Sequence, residues 1–236
     1  MSWTDVQSLR VIWYLRDKYK VKQFIETGTY KGTNLAAHRG AFSLMASCEV
    51  NKEYYDIAND VISKCIGHNN AVIWNKSSPK FLKSWKEQEL FEGTPIFYLD
   101  AHFYDKTLPK SKRFVVKDEL KSLQGIGKCV IVIHDFCNGL GSINYDGIDL
   151  DLNLIRKELW LINSNFYFYT NTLKSCEIVK TKEDIRRLGL KWDAEMKSTL
   201  EFIWSKPEKT YRGLLYCLPT KLNKKEMKEL GLREWI

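Results

Sequence analysis

Long apolar runs are missing from this 236-residue chain. No stretch approaches the ~18 apolar residues that a membrane-spanning helix needs, so no membrane partner is expected. The opening "MSWTDVQSLRVIWYLRDKYK" carries charges among aromatic and aliphatic residues at helical spacing. It lacks the unbroken apolar centre and small-residue cleavage site of a secretory signal. An amphipathic opening helix and a cytoplasmic location are expected. Paired cysteine motifs are also missing. Cys48, Cys65, Cys129, Cys137, Cys176 and Cys217 form no C-x-x-C, which argues against a structural zinc site. Several sit in apolar runs, such as "KCVIVI" and "LLYCLP", and read as buried free thiols in a reducing compartment. Neither G-x-S-x-G nor G-x-x-x-x-G-K-[ST] occurs, which removes the usual serine-hydrolase and P-loop signatures. Internal repeats, low-complexity tracts and linkers rich in Pro, Gly and Ser are absent, so residues 1–236 read as a single domain.

What is present is core-forming material: 44% hydrophobic residues and 13% aromatics, enough for a soluble globular protein. The net charge is +8, with much of the excess in "LPKSKRFVVK" (108–117) and "TKLNKKEMK" (220–228). That excess suits either a polyanion such as nucleic acid or a solvated lysine-rich surface.

Short runs rich in β-branched and aromatic residues predict strands at "QFIET" (23–27), "LMASCEV" (44–50), "AVIWN" (71–75), "PIFYLD" (95–100) and "CVIVIHD" (129–135). Stretches with helical spacing separate them; in "KEYYDIANDVISKCI", Tyr55, Ala58 and Ile62 share one face. Strand–helix alternation implies parallel strands joined by crossover helices. Further on, "LIRKELWLI", "KEDIRRLGL" and "DAEMKSTLEFI" read as helices, and "FYFYTN" (166–171) and "GLLYCLP" (213–219) as strands. The expected architecture is a Rossmann-like α/β fold: an open sheet of about seven strands, mostly parallel, with helices on both faces. The last two strands form an antiparallel edge near the C-terminus. Residues 1–20 are its first helix, 21–136 its binding core, and 137–236 its second side.

In such sheets ligands bind beyond the carboxyl ends of central strands. "ETGTYKGTN" (26–34) falls there. Gly28 and Gly32 permit tight turning, and the following helix offers free N–H groups and a positive dipole end, suited to a carboxylate or phosphate. Glu49 ends the second strand, 23 residues after Glu26 (49 − 26). A carboxylate there can accept hydrogen bonds from two ribose hydroxyls. The third strand runs into "NKSS" (75–78), the fourth into "YLDAHFYD", the fifth into "VIHDF".

With these residues in order, the chain resembles the class I S-adenosylmethionine-dependent methyltransferases. Within them it is most similar to the branch of sugar and small-molecule O-methyltransferases and cephalosporin-hydroxylase-like proteins. The pattern is "FIETGTYKGTN", "CEVNKEYYDIA", "SSPKFL", "FYLDAH", "KDEL" and "VIVIHDF", over about residues 21–136. The resemblance implies S-adenosylmethionine as cofactor. Glu26, Thr27, Gly28, Thr29, Tyr30, Gly32, Thr33 and Asn34 would line its methionine part, Glu49 its ribose, Ser77 its adenine and Asp100 its sulfonium end. Two positions depart from the branch: Lys76 and Asn51 stand where acids often do.

"DAH" (100–102) and "HD" (134–135) end neighbouring predicted strands. Asp100, His134 and Asp135 form a candidate site for magnesium or manganese. Such an ion would lower the pKa of an acceptor hydroxyl. Without one, His102 or His134 can serve as general base, with Asp100 and Asp135 completing the catalytic set; His134 can also simply bond backbone at a strand end. Asp105 and Asp118 are outlying candidates. Tyr145, Asp146 and Asp149 can shape a lid, and Trp192, Phe202 and Trp204 can stack on an acceptor. His38 and His68 read as ordinary structural residues.

The leading expectation is O-methylation of a sugar or other hydroxylated small molecule. An RNA acceptor, a hydroxylase-like activity and a non-catalytic binding module are the alternatives. The sequence leaves the oligomeric state open.

Overall fold

The computed structural model describes residues 6–65, 70–101, 114–139, 149–172, 183 and 213–236. The elements run α1 (Val6–Tyr19), β1 (Gln23–Thr27), α2 (Thr33–Ala37), β2 (Leu44–Cys48), α3 (Lys52–Cys65), β3 (Ala71–Trp74), α4 (Ser78–Glu87) and β4 (Ile96–Leu99). There follow α5 (Val116–Ser122), β5 (Val130–Ile133), α6 (Leu152–Ile162), β6 (Tyr167–Asn171), β7 (Leu215–Leu218), α7 (Lys224–Leu230) and β8 (Leu232–Glu234).

One eight-stranded sheet has the order β3-β2-β1-β4-β5-β7-β6-β8. β1 to β5 pair in parallel, whereas β7 joins β5 antiparallel and β6 joins both β7 and β8 antiparallel. The expected antiparallel pair β6–β7 is present, but it is not the edge. The eighth strand, absent from the sequence reading, covers it. The three residues of β8 follow a glycine C-cap with φ +63° at Gly231, too short a run to show alternation.

The strands owe their place to period-two burial on both faces. Ile25, Phe97, Leu99, Ile131 and Ile133 face one core, with α4, α5 and α6. Phe24, Ile96, Tyr98, Val130 and Val132 face the other, with α1, α2, α3 and α7. Each such side chain, fully buried, is worth about 1.5–3 kcal/mol. Caps fix the helix ends. Asp151 accepts from the Leu154 N–H at 2.9 Å to start α6, and Asn223 and Glu226 form a reciprocal capping box on α7. α1 is then tied to α7: Gln7 Nε2 donates to Leu230 O at 3.0 Å, and Tyr14 and Lys18 both donate to Glu226.

Cys48, Cys129 and Cys217 are buried free thiols, as expected, and burial pushes all three above the ordinary range. Among the described residues no helix is long and apolar enough to cross a membrane. Strand order reverses between β1 and β4, which opens a crevice at their carboxyl ends.

Candidate active site

The loop after β1 is hung from β2 and braced on β4. The N–H groups of Gly28 and Thr29 both donate to Cys48 O, at 3.1 and 3.0 Å. The Asp100 N–H in turn donates to Thr27 O at 3.2 Å. Gly28 has φ +77°, and a Cβ there would stand 2.5 Å from Asp100 O. No other residue fits that crossing. The close approach expected of Gly28 is therefore to the β4 backbone. Gly32, at φ +78°, lets the chain enter α2 against Ala58.

Glu49 sits beside this loop, as its place at the end of β2 requires. Its Oε2 accepts from the Tyr30 N–H and its Oε1 from the Asn51 N–H, both at 2.8 Å. Each oxygen keeps a lone pair for a further donor. Tyr30 is held at φ +50°, an uncommon state for a non-glycine residue, and its ring packs against Tyr54 at 4.4 Å. Next to Glu49, Val50 is 69% exposed, an apolar side chain left open beside a carboxylate. Asn75 Nδ2 donates to Glu49 O at 2.8 Å and ties β3 to the same rim. Asn75 belongs to the "NKSS" run marked from sequence; Val50 was not marked. Ser77 N-caps α4 without a side-chain cap bond, so its hydroxyl is not spent on the helix, and the Lys76 ammonium lies 4.6 Å from the Trp74 ring centroid.

Glu26 points elsewhere than its neighbours. It is 2% exposed; its Oε1 accepts from Asn34 Nδ2 at 2.7 Å and its Oε2 from the Ser47 hydroxyl at 2.9 Å. Burial, with Asp100 and Glu49 adding to it, outweighs these two bonds and pushes its carboxyl up to about 7. Ser47, also missed from sequence, had one signal: a hydroxyl on a strand covered on both faces must find a buried partner.

At the ends of β4 and β5, Asp100, His134 and Asp135 converge. His134 Nδ1 lies 2.9 Å from Asp100 Oδ1 and 3.3 Å from Asp135 Oδ1. Asp135 has φ +57°, which turns its carboxylate back toward His134 instead of continuing the strand. One donor atom from each residue fits within 4.8 Å of the others. Separations of about 3 Å are the edge of an octahedron with ~2.1 Å bonds. Two carboxylates and one imidazole suit a borderline-hard divalent ion. The residues fit the group.

The segment after Asp135 is anchored. Asn138 is fully buried and donates to Thr170 Oγ1 at 2.9 Å and Asn171 O at 3.1 Å, while Arg233 on β8 donates to Asn138 O at 2.6 Å. Trp235 meets Phe136 edge-on at 5.7 Å. The unforeseen C-terminal strand thus buttresses the end of β5.

Other expected residues lie apart. Asp118 is exposed and pairs with Lys121 at 2.8 Å. His38 is a core residue: fully buried, accepting on Nδ1 from Trp13 Nε1 at 3.1 Å, with burial holding it down at about 3. Asp149 is half-buried just before α6. His68, His102, Asp105, Tyr145, Asp146, Cys176, Trp192, Phe202 and Trp204 lie outside the described residues, as do the two late helices expected between 172 and 210 apart from Glu183, which is helical.

No protein-family model and no curated protein matches the chain. Solved structures do. The chain is similar to the methyltransferase domain of bacterial CtHen1-CN, at 9% identity and TM-score 0.52 over 90% of this chain and 97% of that one. It is similar to the O-methyltransferase TomG of Streptomyces achromogenes, involved in tomaymycin synthesis and solved with S-adenosylmethionine, at 13% and 0.52 over 91% and 80%. A human methyltransferase 10 domain-containing protein matches at 12% and 0.52 over 93% and 86%. At such identities the likeness is one of fold, an α/β fold shared with these solved methyltransferases.

Proposed function

We propose that this methyltransferase fold is an S-adenosylmethionine-dependent O-methyltransferase acting on a sugar or other hydroxylated small molecule. The observation that carries the reading is the shared crevice. The Gly28–Gly32 loop, the Glu49 carboxylate and the Asp100–His134–Asp135 cluster all stand at the carboxyl ends of adjacent strands. Glu49 has the charge and the spare lone pairs to hold a diol, and Val50 gives the neighbouring base an apolar surface. Ser77 adds a polar contact on the same rim.

Methyl transfer from a sulfonium asks little covalent chemistry of a protein. The residues must align the acceptor and take its proton. His134 supplies a nitrogen base, and Asp100 and Asp135 hold the ring by charge on the Nδ1 side. His102, two residues past Asp100, is a second candidate base. Asp100, His134 and Asp135 would hold a magnesium or manganese ion, which when bound would acidify and orient the acceptor hydroxyl.

Calorimetry with S-adenosylmethionine and S-adenosylhomocysteine tests the cofactor. Transfer of label from S-adenosyl[methyl-3H]methionine to a panel of sugars, catechols and RNA tests the acceptor. Micromolar cofactor binding and label in a small hydroxylated acceptor are expected. Label in RNA, with binding that weakens steeply in salt, would move the acceptor to nucleic acid. Binding of neither cofactor form would refute the transferase reading.

A further inference from the structure

The Glu26 carboxyl is buried directly behind the loop that the preceding section assigns to the cofactor, and it heads a chain of hydroxyls. Ser47 donates to Glu26, and Ser47 Oγ is in turn hydrogen-bonded to Thr29 Oγ1 in the loop. Ser47 and Thr29 are as buried as Glu26 itself. The other carboxyl oxygen takes the Asn34 amide from the first turn of α2. One acid therefore bonds the first turn of α2 and the strand beside it directly, and reaches the loop through Ser47.

We propose that Glu26, Ser47 and Thr29 form a proton-dependent relay beneath the cofactor loop, through which ionisation of Glu26 sets how tightly the loop binds an ammonium-bearing ligand. The inference rests on the transferase reading, in which that ligand is the amino-acid end of S-adenosylmethionine.

The sense of the hydrogen bonds follows from proton counting. When Glu26 is ionised, its oxygens only accept. Ser47 must donate to it, so Thr29 must donate to Ser47, and the lone pairs of Thr29 and a buried negative charge face the loop. When Glu26 is protonated, it donates to Ser47, Ser47 donates to Thr29, and the loop faces a neutral acid and a hydroxyl with its proton turned outward. The ionised state suits an ammonium; the protonated state does not.

The groups facing the acid agree. β2 presents Ser47, the Glu49 carboxylate stands just past its end, Asp100 just past the end of β4, and α2 presents the Asn34 amide. The two carboxylates favour the protonated state of the free protein, and an arriving ammonium reverses that balance. Binding then releases a proton.

Titration calorimetry with S-adenosylhomocysteine, from pH 6 to pH 8 in buffers of different ionisation enthalpy, reads both consequences. With the carboxyl near 7, the ionised fraction rises about tenfold over that interval, and affinity is expected to rise by up to about tenfold with it. Proton release on binding should approach one at pH 6. Glu26→Gln copies the protonated state; its affinity should be flat with pH and below that of the unmodified protein even at pH 6. Ser47→Ala cuts the relay while keeping the acid, and should lose most of the slope.

Flat affinity in the unmodified protein, or a slope that survives intact in Glu26→Gln, would overturn the relay alone. Should Glu26→Gln fail to fold by circular dichroism, an intact slope in Ser47→Ala overturns it. No binding of S-adenosylhomocysteine at any pH would overturn the transferase reading, and this inference with it.

Discussion

Replacing Gly28 by alanine should damage both the fold and the site, by an amount that two features of the structure fix. The first is backbone conformation. At φ +77° an L-residue pays about 1–2 kcal/mol for the left-handed region. The second is collision. The new Cβ would stand 2.5 Å from Asp100 O and 2.8 Å from Ala101 Cα. Both are backbone atoms at a strand end and cannot swing aside as a side-chain tip would. Overpacking of this kind costs about 1–3 kcal/mol. Together Gly28→Ala should lose about 2–5 kcal/mol of stability. Part of that strain is relieved by moving Asp100, so affinity for S-adenosylhomocysteine should also fall.

Gly40 supplies the control. It has a similar φ of +72°, and nothing lies within 4 Å of its would-be Cβ. Gly40→Ala should cost the conformational part alone, about 1–2 kcal/mol, and leave binding unchanged. Urea titrations of both variants, with calorimetry at the folded baseline, give the comparison. Equal losses for the two would refute the argument that the β1 loop is packed onto the β4 backbone.

Three other outcomes are expected. Glu49→Ala should weaken S-adenosylhomocysteine binding by about 1–3 kcal/mol, the usual loss for a charged hydrogen-bond partner; unchanged affinity in a folded variant would remove Glu49 from the binding site. Burial holds His38 at about 3, against an ordinary histidine value of 6.5, so the unfolded chain binds the extra proton as pH falls. Stability should therefore decline from about pH 6.5 down to about pH 3, by up to 1.4 kcal/mol per pH unit from this group. His38→Gln should flatten that limb in urea titrations at stepped pH. If the Asp100–His134–Asp135 cluster takes an ion, manganese should raise the melting temperature of the protein and not of Asp135→Asn; no shift in either would leave acceptor deprotonation to the side chains alone.

Local chemistry made much of this legible in advance. Apolar runs bounded by turn residues located all the parallel strands, because period-two burial on a doubly covered sheet leaves a dense apolar signature. Gly28, Glu49, Asp100 and His134 stood out because a glycine or an ionisable residue at a strand end interrupts that signature. The strands were read too long, as at 44–50 and 129–135: β2 ends at Cys48 and β5 at Ile133, where the chain leaves the sheet and the site residues begin. β8 was invisible: it has three residues and exists only because β6 offers an open edge.

Which way each site residue points was never in the sequence. Glu26 and Glu49 look alike as acids near strand ends, yet one is sealed behind the loop and the other braces its rim. Gly213 reads as one more glycine, and only the folded chain puts Phe136 O 1.8 Å from where its Cβ would be. Composition and periodicity fix which residues are buried and in what kind of element, because those follow from neighbours along the chain. Facing, close approach and shared protons depend on atoms far apart in sequence, and packing alone decides them.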